Sequence, residues 1–123
     1  MGDNILWKDL SVKYHLGSSA DTVQVTTTRS SFYGIHVAPA AGDASIALFN
    51  WDGQGSAPTG ATNANLKLCF NTGDSGANQP MGGIWVPMPG DTSILFEDGM
   101  YINLRGHSTD YAVATSITVF YTF

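Results

Sequence analysis

At 123 residues, 43% of them hydrophobic and 12% charged, the chain has the size of one domain and enough apolar side chains to bury a core. The charged share is about half of the ~25% usual in soluble domains, and the net charge is −5. No basic cluster occurs, which makes nucleic acid and anionic membranes poor partners, and no apolar run approaches the ~20 residues of a membrane-spanning helix.

Strand formers dominate. Thr, Val, Ile and aromatics are frequent, Glu occurs once, and 14 Gly with 5 Pro supply turns. The first residues, Met1-Gly-Asp-Asn-Ile-Leu-Trp7, lack the charged and apolar regions of a secretory signal, so synthesis in a cytoplasm is expected. Ile5, Leu6 and Trp7 make residues 1–9 a short apolar segment, read either as a first strand or as an arm that docks on a partner. Leu10, Val12, Tyr14 and Leu16 then alternate with Ser11, Lys13 and His15. That period of two predicts a strand with the apolar set inward and His15 toward solvent or an interface.

Val23, Val25 and Thr27 continue the pattern, followed by Tyr33, Ile35 and Val37, where His36 falls on the outward phase. Residues 45–51 and 66–70 read as further strands, separated by the long polar loop 52–64, which contains Pro58. A second polar loop, 71–83, precedes Ile84-Trp-Val86. Residues 93–96 and 100–104 flank Glu97-Asp-Gly99, a tight-turn signal that predicts a hairpin. The last strand, 111–123, places Val113, Thr115, Ile117, Val119 and Tyr121 on one side and Ala114, Ser116 and Thr118 on the other. Seven or eight strands and no helix predict an all-β antiparallel β-sandwich, jelly-roll-like, as a single domain over 1–123.

Chemistry-bearing residues do not assemble into a catalytic set, so the chain reads as a non-enzyme with no cofactor. Gly73-Asp-Ser-Gly76 looks like a serine-protease nucleophile segment, but neither a base His nor a suitable fold accompanies it, and it reads as a turn. His15, His36 and His107 lack zinc-site spacing, and the only metal role open to them is one His per chain on a trimer axis. Asp43, Asp52, Asp74, Asp91, Asp98 and Asp110 lie beside Gly, Thr or Tyr and read as turn residues rather than calcium ligands. Cys69 is the single cysteine, which excludes a disulfide within one chain and reads as a small strand residue. Trp51 and Trp85 are the candidates for stacking a sugar ring, against the alternative of core or interface packing.

Ile84-Trp-Val-Pro-Met-Pro, then Ile94 through Leu104 with its Asp-Gly-Met-Tyr-Ile stretch, then Ile117-Thr-Val-Phe-Tyr121, resemble small β-proteins of tailed-bacteriophage particles. The resemblance covers about a third of the chain and is to the head decoration or cement type. It implies a non-enzymatic virion protein, a homotrimer that binds the major capsid protein from the capsid exterior. Ile5, Leu6, Trp7 and Pro58 are then the expected contacts, and the sparse charge suits such an assembly. The alternative is a carbohydrate-binding β-sandwich module, an adhesin or lectin using Trp51 or Trp85.

Overall fold

The computed structural model describes residues 10–17, 22–39, 45–59, 64–72, 83–90, 92–104 and 115–123. Nine strands and no helix are present among them: β1 (Ser11–Gly17), β2 (Thr22–Thr26), β3 (Ser30–Pro39), β4 (Ser45–Asn50), β5 (Leu66–Asn71), β6 (Ile84–Pro87), β7 (Ile94–Phe96), β8 (Met100–Asn103) and β9 (Thr115–Thr122). One antiparallel sheet, called A, has the order β1-β9-β3-β6, with β7 also on β3. The other, called B, has the order β2-β8-β4-β5.

β6 and β7 pair with successive stretches of β3, at Gly34–Val37 and at Ser30–Phe32. They are one strand position interrupted where Pro87 and Pro89 withhold backbone donors. The break is closed by Thr92 N–H donating to Pro89 O at 3.1 Å, with Gly90 at φ +58°. Counted that way, eight strand positions form two four-stranded layers. The chain changes layer at every step except β4 to β5, which is the connectivity of a jelly roll.

The core lies between the layers. Phe32, Ile35 and Val37 of β3, Phe96 of β7 and Ile117 and Val119 of β9 face Val23, Ile46, Leu48, Met100, Ile102 and Leu104. Phe32 and Phe96 meet edge to face at 6.4 Å. Burying each large side chain contributes about 1.5–3 kcal/mol. The alternation expected for the last strand holds from Thr115 to Val119: Thr115, Ile117 and Val119 are buried, and Ser116 and Thr118 are half-buried on the other side. Residues 111–114 lie outside the described set.

Two expectations are corrected. Glu97-Asp-Gly99 does not close a hairpin: β7 pairs in sheet A and β8 in sheet B, so this turn carries the chain across the sandwich. Asn50 holds it there, its Nδ2 donating to Asp98 Oδ2 at 3.0 Å while Asp98 N–H donates to Asn50 Oδ1 at 2.8 Å. Gly99 passes so close to the ends of β2 and β4 that a Cβ would lie 2.7 Å from Thr26 O and 2.6 Å from Trp51 O. The short-range turn signal is local and identical for both outcomes; only these long-range contacts choose the crossing.

The second correction concerns β1. Val12, Tyr14 and Leu16 point away from the core and are exposed, whereas His15 is half-buried on the core-side phase. Among the described strands β1 is the edge of sheet A and pairs only with β9. Lys13, aligned with the core residue Val119, also lies on that core-side phase. A charge on the inner phase of an edge strand hinders edge-to-edge pairing with another sheet.

Candidate binding faces

The strand register builds the outer face of sheet A row by row. Tyr14, Thr118, His36 and Trp85 align across β1, β9, β3 and β6. Beside that row run Val12, Phe120, Gly34 and Pro87, and then Leu16, Ser116 and Ala38. None of these residues is Asp, Glu, Lys or Arg. The face is therefore a neutral mixture of rings, methyl groups and hydroxyls. Val12, Tyr14 and Leu16 are 54%, 62% and 67% exposed, which forms an apolar stripe along the edge.

At the opposite side of the same face the Trp85 ring leans over β3 and meets Phe120 at right angles, 5.1 Å between centroids. Gly34 makes this possible, because a Cβ there would lie 2.8 Å from Trp85 Cη2. His36, Trp85, Thr118 and Phe120 line an open cleft of about 440 Å³. Gly83, at φ +103°, closes on the imidazole: a Cβ would stand 2.7 Å from His36 Cε1 and Nε2.

Trp51 has a different occupation. Its indole N–H donates to Gln54 O at 2.7 Å, and its ring meets Tyr101 edge to face at 4.8 Å. With Leu66 and Cys69 it packs on Ala47, Phe49 and Tyr101, a second small cluster on the outer side of sheet B. Asp52 Oδ1 accepts the Gln54 N–H at 2.9 Å, and the Gln24 amide donates to Trp51 O at 2.9 Å, so the start of the loop after β4 is tied to β2. Pro58 is buried within this loop, and the exposed positions beside it are Gly53 through Ala57 and Thr59.

Ile5, Leu6 and Trp7 lie outside the described residues, as do His107, the 73–76 string, and Asp43, Asp74, Asp91 and Asp110. Asp98 is bound to Asn50 and Asp52 caps its own turn. Among the described residues no group of three or more His, Cys, Asp or Glu could hold a metal, and no helix is long and apolar enough to cross a membrane. Burial pushes the Cys69 thiol pKa up, which keeps it protonated and a poor nucleophile. Phe120 and Gly34 were not legible as site residues, because pairing β9 with β3 is what brings them under Trp85.

No protein-family profile matches the chain, and neither a curated protein nor a solved structure is similar to it at a significant level.

Proposed function

We propose that the chain is a non-enzymatic virion protein, a jelly roll that decorates a bacteriophage capsid and stabilises it by binding the lattice of the major capsid protein. The observation that carries this reading is the stripe of Val12, Tyr14 and Leu16, exposed on an uncharged sheet face. Covering these three half-exposed side chains contributes about 1 kcal/mol each. That is less than the ~4–15 kcal/mol that association costs in lost freedom. A single pairwise contact is therefore too weak, and the stripe suits a homotrimer seated many times on a repeating shell, where linked contacts reinforce one another. A protein that binds only the assembled lattice stabilises that lattice by mass action. The same reading has the chain made in the host cytoplasm and placed on the capsid exterior, with Ile5, Leu6 and Trp7 as an added arm.

The test is sedimentation of the purified protein with empty shells of the virus that encodes it, alongside light scattering of the free protein. Wild type is expected to saturate the shells and to scatter as a trimer. Val12→Ser/Leu16→Ser is expected to remain folded, scatter as a monomer and bind shells at least about tenfold more weakly. Removing residues 1–9 is expected to lower occupancy without unfolding the domain. Full occupancy by the stripe variant would refute the assignment of this face; full occupancy by the truncated chain would remove the arm from it.

A further inference from the structure

We infer that the cleft on the outer face of sheet A, between β9, β3 and β6, is a binding site for a neutral carbohydrate chain. This goes beyond the decoration role, which rests on the β1 stripe and the N-terminal arm and does not use this cleft. Three properties of the site carry the inference.

The first is the arrangement of rings. Trp85 is 43% exposed, and Phe120 meets it edge-on at 88°, so the two rings form a corner rather than a closed stack. The apolar C–H face of a pyranose matches an open indole face in this setting. The second is polarity. The imidazole of His36 and the hydroxyl of Thr118 stand side by side on paired strands, directly across from Trp85. They offer donors and acceptors for ring hydroxyls. None of the described residues lining the cleft is Asp, Glu, Lys or Arg, so no permanently charged side chain among them is set to pair with an acidic sugar.

The third property separates a sugar from a peptide. β9 is paired on both sides, by β1 and β3, and β3 by β9 and β6. Beneath Thr118 and His36 the cleft floor therefore has no free strand edge; β6, which carries Trp85, ends the described sheet order, so a peptide could add itself as a strand only at the rim beyond Trp85. Over the floor, recognition runs through side chains, by stacking and by side-chain hydrogen bonds. The volume of about 440 Å³ lies within the range of small-ligand sites, and the opening suits a ligand that continues into solvent.

Trp51 is excluded from this role by its own contacts. Its indole N–H is taken by Gln54 O and its ring packs on Tyr101.

The experiment is a glycan array carrying neutral and acidic oligosaccharides, followed by calorimetric titration of the strongest neutral ligand. Wild type is expected to retain neutral glycans. Trp85→Ala is expected to weaken the titrated ligand at least about tenfold with an unchanged melting temperature. Gly34→Ala, which removes no ring but displaces the indole, is expected to weaken it similarly as a folded protein. Trp51→Phe and Val12→Ser/Leu16→Ser are expected to bind the sugar as wild type does, while Trp85→Ala still binds shells. Retention of no neutral glycan, retention of acidic glycans alone, tighter binding of a proline-rich peptide control, or undiminished affinity in Trp85→Ala would each overturn the assignment.

Discussion

Gly99 and Gly34 are positions where the missing side chain is the structural feature. Gly99 has φ +155° and backbone oxygens of Trp51 and Thr26 within 3 Å of where a Cβ would sit. Trp51 N–H also donates to Gly99 O at 3.0 Å, so the backbone cannot move away without losing that bond. Gly99→Ala is expected to destabilise the fold by at least about 2 kcal/mol, measured by urea denaturation. Wild-type stability in that variant would mean the crossing turn tolerates a shift of both neighbouring strands. Near by, Thr26 illustrates the rule for buried hydroxyls. It meets the Ser30 hydroxyl at 2.8 Å and accepts the Met100 N–H at 2.9 Å, which satisfies it beneath the crossing from β2 to β3. None of this was readable from residue types. Asp-Gly marks a turn in the sequence, but which layer the next strand joins depends on partners some 50 to 75 residues away.

Among the elements, β5 and the crossing turn are joined by Lys67 and Glu97, 3.1 Å apart. The hydrogen bond of Glu97 with its own backbone, and then that with Lys67, hold its carboxyl below its ordinary value of 4.5. The folded state thus binds this proton more weakly than the unfolded chain does. The resulting stabilisation is present above pH 4.5 and is lost as the pH falls through the lower folded-state value. Because the Glu97 side chain is solvent-exposed, the effect is small and screened by salt. Glu97→Gln is expected to lower the urea midpoint slightly at neutral pH and low salt, and to match wild type in acid. A difference that persisted in acid would trace the effect to packing instead of charge. At this scale the sequence was informative about strand existence and uninformative about β1's orientation. Apolar alternation reports that a strand has two unlike faces, not which one meets the core, and an edge strand is free to present its apolar face outward. β9 has no such freedom, since it is paired on both sides and its odd-numbered residues reach the centre of the sandwich.

For the molecule as a whole, composition and turn spacing carried the all-β sandwich and its jelly-roll character. They did so because period-two alternation and Gly/Pro punctuation are local properties that survive into the fold. The outer face of sheet A did not emerge that way. It is assembled from β1, β3, β6 and β9, whose residues span Val12 to Phe120, and only the register brings Trp85, Gly34 and Phe120 together. Trp85 was a candidate from its residue type alone, whereas its partners required the pairing of strands distant in the chain.

The central place of β9 has a consequence for how the protein is made. β2, β4, β5 and β8 all precede β9 in the chain, so every strand described for sheet B is complete without it. Among the described strands β1 has no partner without β9, and β3 lacks one on its β9 side. A chain ended after Leu104 is expected to be insoluble, and to be rescued by adding the 111–123 peptide during refolding, as read by soluble yield. A soluble, cooperatively folding 1–104 fragment would show that sheet B and the β3 edge protect themselves. The last strand is thus the part of this fold that conceals the edges of two others.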